Sequence, residues 1–208
     1  MCKNLSVNVV KITQETIAHY EGHAQSFWEG TKDHDVSQNI VAFLGACQQN
    51  KVLDILDFGC GPGRDVQYFK AVGHRPVGLD GSAAFCQMAA ELTGCPILWQ
   101  NFLELDLPEQ AFDGIYANAS LFHVPRPHLP EVLDKLHRAL RSEGILFTSN
   151  PRGDGESVQG QRYGNYMEME TSERFLATAN FEILHHYYRP QGLPRNQQPW
   201  LAIVSKRN

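Results

Sequence analysis

The chain has 208 residues, 42% of them apolar and 20% charged, with a formal net charge of −5. That length suits one domain with at most a small appendage, and the apolar share supplies an ordinary core. The acidic balance argues against a face that neutralises nucleic-acid phosphates. Five cysteines, odd in number and without a CxxC pair, argue against a disulfide frame or a zinc site.

The opening residues, MCKNLSVNVVKITQET, lack the apolar core of a signal peptide, and no later stretch is apolar enough to span a bilayer. The expectation is a soluble, cytoplasmic protein, monomer or homodimer, that holds no metal and binds neither membrane nor nucleic acid. Two helices are predicted over about 13–28 and 36–49, the second with Asp35 as N-cap, so residues 1–50 read as a helical cap on a unit spanning 51–208.

VLDILDF (52–58) reads as a buried strand, and PGRDVQYFKAVG (62–73) as a helix with proline in its first turn. RPVGLD (75–80) is a second strand, followed by SAAFCQMAAELTG (82–94), a helix capped by Ser82 and stopped at Gly94. CPILWQN (95–101) and FDGIYANAS (112–120) are the third and fourth strands. In PHLPEVLDKLHRALRS (127–142), Leu129, Val132, Leu133, Leu136 and Leu140 form one helical stripe; Gly144 ends it and GILFTSN (144–150) is the fifth strand. Segment 151–170 is long, polar and glycine-rich, the profile of a functional or mobile loop. TSERFLATAN (171–180) is a helix with Thr171 as N-cap, and FEILHHYYR and PWLAIVSKR form a closing antiparallel pair. Five strand–helix units in a row mean a parallel sheet covered on both faces. The predicted class is α/β: a doubly wound, mostly parallel, seven-stranded Rossmann-like sheet with an N-terminal helical cap.

The turn LDFGCGPGRD (56–65) places Gly59, Gly61 and Gly63 behind the first strand. In doubly wound sheets ligands bind outside the carboxyl ends of the strands, and glycines there let backbone approach them closely. A dinucleotide GxGxxG read from Gly59 needs glycine at 64, where Arg64 stands, and no GK[ST] follows for a phosphate loop. Acids end both of the first two strands, at Asp57 and Asp80.

This D-x-G-x-G-x-G resembles the first motif of the class I S-adenosylmethionine-dependent methyltransferases. The likeness continues in order through GLDGS (78–82), QNFLELDLP (100–108), FDGIYANASLFHV (112–124) and LRSEGILFTSNP (140–151), covering roughly residues 50–150. It implies S-adenosylmethionine as cofactor. It also implies Asp57 near the methionine end, and Asp80 on the ribose hydroxyls with Gly81 and Ser82 in the turn behind it. The backbone of Gly59, Cys60, Gly61 and Gly63 would line the cofactor. Asn101 would read the adenine amino group, with Phe102 beside it, while Asn118 and Ala119 would border the methionine and Tyr20 would close the site. The chemistry agrees, because a sulfonium, an ammonium and two hydroxyls all suit carboxylate partners.

The methyl acceptor should sit at the same edge. His123 reads as a general base or acceptor-orienting group, its unperturbed pKa near 6.5 suiting proton transfer, or else as a histidine packing the turn. Arg152 and Tyr163 join it as catalytic candidates. Asn150, Arg152, Arg162, Tyr163 and Tyr166 either surround a small polar acceptor or lie in a solvated flap; Trp28 and Arg189 complete the acceptor side. No [DNS]PP[YFW] tetrad follows the fourth strand, where ANAS stands, so amino methylation of bases is disfavoured. The expected reaction is methyl transfer to a small polar metabolite, with a nitrogen of an amino-acid derivative as one acceptor. The alternatives are a noncatalytic module that binds the cofactor and, disfavoured by Arg64, an NAD-dependent oxidoreductase.

Overall fold

The computed structural model describes the backbone from residue 3 to residue 208 and the side chains from residue 9. Its strands are β1 (Asp54–Phe58), β2 (Arg75–Asp80), β3 (Ile97–Trp99), β4 (Phe112–Asn118), β5 (Leu140–Pro151), β6 (Gly155–Gln159), β7 (Arg162–Tyr166), β8 (Phe181–Arg189) and β9 (Trp200–Arg207). Seven of them form one sheet in the order β3-β2-β1-β4-β5-β9-β8. The first five are parallel, and β9 runs antiparallel to both β5 and β8. The strand order reverses between β1 and β4, which opens a crevice at their carboxyl ends.

The helices are α1 (Lys3–Gly22), α2 (Ala24–Thr31), α3 (Ser37–Ala46), α4 (Arg64–Ala71), α5 (Ala83–Thr93), α6 (Leu129–Ala139) and α7 (Met169–Thr178). Adjacent strand residues feed opposite faces, as a period of two requires. Leu56, Ile115, Leu146 and Ile203 pack with Leu133 and Leu136 of α6. Their neighbours Ile55, Tyr116, Phe147 and Val204 pack with Ile40 and Phe43 of α3 and Phe69 of α4. Near-continuous apolar runs in the strands therefore supply two cores rather than one. Among the described residues no helix is long and apolar enough to cross a membrane.

Several boundaries differ from the sequence reading. The stretch 13–28 belongs to two helices, which break at Gly22–His23. Asp35 sits one residue ahead of the N-cap of α3, its carboxylate accepting from the Ser37 amide at 2.9 Å. Helix α6 ends at Ala139, so Leu140 is a strand residue paired with Phe112, and Gly144 lies within β5 next to a register shift. The segment 151–170 is no open loop: β6 and β7 pair as a hairpin around residues 160–161, where Gly160 has φ +65°. Its strand character was masked because β6 is exposed on both faces and shows no apolar alternation. Helix α7 begins at Met169 with Glu168 as N-cap, two residues before Thr171.

Candidate active site

A cavity of about 790 Å³ lies beyond the carboxyl ends of β1, β2 and β4 and is covered by α1 and α2. Its floor is the glycine turn. The Gly59 and Cys60 amides donate to the Leu79 carbonyl at 2.8 and 3.0 Å, which bends β1 sharply toward α4. At Gly59, φ is +77° and an added Cβ would lie 2.2 Å from the Cβ of Ser120, so only glycine fits. Gly63 serves another purpose. It caps α4 with φ +97°, and a Cβ there would meet Ala89 of α5 at 2.9 Å. It is not part of the cavity wall, so its requirement for glycine comes from helix packing.

Asp80 faces the cavity with each oxygen anchored: Oδ2 accepts from Gly61 N at 3.0 Å and Oδ1 from Ser82 N at 2.9 Å. Enclosure raises its pKa to about 6, against the stabilising effect of those amides. Asp57 lies beneath the turn, 2% exposed, and does not reach the cavity wall. Its Oδ2 has no partner, and burial, followed by the Asp65 carboxylate, holds its pKa well above the usual range. Cys60 contributes backbone to the wall, and its thiol is pushed up by burial, which makes the sulfur inert.

Gly61, Gly81, Ser82, Asn101, Phe102, Asn118 and Ala119 also line the cavity. Asn101 spends Oδ1 on the Leu103 amide at 3.0 Å, leaving its NH2 group, and the Phe102 ring stacks on Phe58 at 4.2 Å between centroids. Ala119 adopts φ +62°, an uncommon conformation for a residue with a Cβ, while its amide donates to Ser149 O at 2.7 Å. Glu21 of α1 went unnoticed in the sequence. Its carboxylate accepts from Ser82 Oγ at 2.5 Å and from the Ala84 amide at 3.1 Å, capping α5 from another helix. No local signal could have found it, since the partners are 61 residues apart.

At the other end of the cavity lie Tyr20, Trp28, Phe122, His123, Arg162 and Arg189. His123 Nδ1 faces the Tyr163 carbonyl at 2.6 Å and must carry the proton, so Nε2 accepts from the Tyr20 hydroxyl at 2.9 Å. Burial lowers the His123 pKa to about 4, with the Arg162 charge pushing in the same direction. No ion pair engages Arg162 among the described residues, and Arg189 donates to the Asp35 carbonyl at 3.3 Å.

The structure turns four expected acceptor residues away from this cavity. Tyr163 is 5% exposed, with its hydroxyl donating to Glu156 and accepting from the Arg126 amide. Tyr166 packs on Phe122 and gives its carbonyl to Arg126. Asn150 accepts from the Phe122 amide at 3.2 Å. Arg152 is tied to Glu168 at 3.1 Å and to the carbonyls of Arg195 and Gln198, bracing the β8–β9 connection. Strand alternation explains the outcome on β7: Arg162 faces the cavity, so Tyr163 points elsewhere. Among the described residues no group of His, Cys, Asp or Glu is arranged to hold a metal ion.

Residues 55–144 match the family model described as a methyltransferase domain. Trans-aconitate 2-methyltransferase of Enterobacter sp. (strain 638) is 36% identical over 107 residues, which are 48% of this chain and 40% of that protein. Malonyl-[acyl-carrier protein] O-methyltransferase of Yersinia pestis is 25% identical over 180 residues, 80% of this chain and 64% of that protein. The chain thus spans less than two thirds of the length of these curated relatives. The fold is shared with 1,6-didemethyltoxoflavin-N1-methyltransferase of Burkholderia thailandensis, whose crystal structure holds 1,6-didemethyltoxoflavin and S-adenosylhomocysteine. There the TM-score is 0.75 at 21% identity, covering 100% of this chain and 91% of the other. The motif order along 55–144, the glycine turn beneath the cavity and the acid ending β2 agree with that model, and over this stretch the chain is similar to the S-adenosylmethionine-dependent methyltransferases, whose fold it shares.

Proposed function

We propose that the protein transfers the methyl group of S-adenosylmethionine to a carboxylate oxygen of a small anionic acceptor. When bound, the cofactor supplies an electrophilic methyl carbon on a sulfonium leaving group. The residues present fit it. Asp80 keeps a lone pair on each oxygen for two ribose hydroxyls, Asn101 has an amide for the base, and the turn at Gly59, Cys60 and Gly61 brings the chain to the cavity wall. The volume, about 790 Å³, is in the upper part of the roughly 300–1,000 Å³ that small-molecule sites occupy.

The observation that carries the acceptor class is the state of His123. Both ring nitrogens are engaged and its pKa is about 4, so it is a poor base for an ammonium or a hydroxyl. A carboxylate arrives already ionised and needs only positioning, which Arg162 and Arg189 can give through charge and a planar fork of donors. An amino-acid nitrogen, expected from the sequence, would need its proton removed first. The acceptors named for the trans-aconitate and malonyl relatives carry carboxyl groups, which supports the same reading.

The test is to titrate the purified chain with S-adenosylmethionine, with NAD as control. It is then incubated with small di- and tricarboxylic acids and, separately, with amino acids, while S-adenosylhomocysteine is measured. The expected products are alkali-labile methyl esters. Turnover confined to amines would overturn the carboxylate assignment, and no cofactor binding would overturn the whole reading.

A further inference from the structure

A line of side chains runs from the far edge of the sheet to the cavity. The Tyr187 hydroxyl on β8 donates to Asn39 Oδ1 at 2.9 Å, and Asn39 Nδ2 donates to Asn118 Oδ1 at 2.9 Å. Asn118 Nδ2 donates to Asp65 Oδ2 at 3.3 Å, and the Arg64 guanidinium clamps that carboxylate at 2.8 and 2.9 Å. Arg64 Nη1 also donates to the Thr31 carbonyl at 3.0 Å, tying the line to the end of α2.

The direction of every bond follows from its end. A carboxylate only accepts, so Asn118 must present its NH2 group to Asp65 and its oxygen to Asn39. Asn39 must then present NH2 to Asn118, which leaves its own oxygen for the phenol. Turning either amide over would set donor against donor or acceptor against acceptor where Asn39 is 0% and Asp65 6% exposed. Hydrogen bonds aligned head to tail also polarise one another. Burial holds the Tyr187 hydroxyl neutral, raising its pKa to about 12, as a donor requires.

Asn118, Asp65 and Arg64 line the cavity, whereas Asn39 and Tyr187 do not. We infer that Asn39 is a positioning residue: through Asn118 it orients the polar wall that receives the amino-acid end of the cofactor. This rests on the cofactor reading above and adds to it a residue from α3, outside the stretch 55–144 matched by the methyltransferase-domain model.

The test compares S-adenosylhomocysteine with 5′-methylthioadenosine, which lacks the amino-acid end, by calorimetric titration of the full chain. Asn39→Asp keeps an acceptor for Tyr187 but loses the donor to Asn118. It should bind S-adenosylhomocysteine at least about tenfold more weakly and 5′-methylthioadenosine within twofold of the native chain. Tyr187→Phe, which removes the outermost bond of the line and a longer one to the Gln38 carbonyl at 3.4 Å, should show the same split at about threefold and serves alone if Asn39→Asp fails to fold. Parallel loss of both ligands would make Asn39 a purely structural residue, and unchanged affinity for both would remove its role; either overturns the inference. If the native chain binds neither ligand, the cofactor reading fails, and this inference with it.

Discussion

Tyr20 of α1 gives its hydroxyl proton to Nε2 of His123, 103 residues away, across 2.9 Å. The other ring nitrogen is spent on the Tyr163 carbonyl, so one neutral imidazole joins the covering helix, the turn after β4 and the β6–β7 hairpin. His123 is therefore a tie among three elements before it is anything else.

Its charge state has a stability consequence. The folded pKa is about 4, below the ordinary 6.5, so below pH 6.5 the unfolded chain takes up a proton that the folded chain refuses. Stability should fall as pH drops from about 6.5 to about 4 and be fully present above that window. His123→Gln should flatten this part of a Tm-against-pH curve. In the native enzyme, kcat at saturating cofactor should show no limb near 6.5, and finding one that His123→Gln abolishes would restore a general base.

Asp80 behaves in the opposite sense. Its pKa is raised to about 6, so ionising it costs folded-state stability as pH climbs from about 4 to 6. The ionised form is nevertheless the better acceptor for ribose hydroxyls. S-adenosylmethionine affinity should weaken as pH falls through about 6, and Asp80→Asn should bind about 30-fold more weakly, on the order of 2 kcal/mol, with a flat profile. Titrations at pH 5, 6 and 7.5 decide it.

Glu21 anchors α1 to the first turn of α5, beside Asp80. Glu21→Ala removes a partner of Ser82 and of the Ala84 amide and should cost about 1 kcal/mol, the scale of a lost N-cap. Because α1 covers the cavity, stopped-flow dissociation of S-adenosylhomocysteine should quicken several-fold, with a smaller change in association. Unaltered dissociation would leave Glu21 as a cap alone.

Two glycines of one motif should fail differently. Gly63→Ala strains φ +97° and presses on Ala89, so its main effect should be a loss of about 2 kcal/mol or more in unfolding free energy. Gly59→Ala drives a methyl group into Ser120 under the cavity floor, and should abolish cofactor binding even at temperatures where the chain is still folded. Urea unfolding read beside calorimetry separates the two.

Away from the cavity, Arg141 bridges Asp54 at 2.8 Å and Asp113 at 2.9 Å, with Arg75 and Lys51 completing the group. All of these side chains but Asp113 are partly exposed, and Lys51 still pairs with Asp113, so Arg141→Met should cost only about 1 kcal/mol, diminished at high salt, with kcat/KM unchanged.

The elements that close on themselves were legible in the residues. Ser82 and Gly94 bound α5 as read, because a cap and an αL stop act within a few residues. The sheet followed from alternating strands and helices, and Asp80 from its place at a strand end. The hairpin at 155–166 was not legible, since polar side chains on both faces erase the period of two. Leu140 satisfied the stripe of α6 equally well, and only its pairing with Phe112 moved it into β5.

What the sequence by itself determined is the order of the motifs, the fold class and the end of the sheet where the cavity opens. Each depends on local geometry or on a short periodicity. The tertiary structure decided which side chains face the cavity. Arg162 lines it while Tyr163, Arg152, Asn150 and Tyr166 turn elsewhere, because strand register and cross-chain partners set those directions. Glu21 and Asn39 enter the site's account only through residues dozens of positions away. A hydrogen bond between distant residues leaves no periodic trace, so it exists only once the chain has folded.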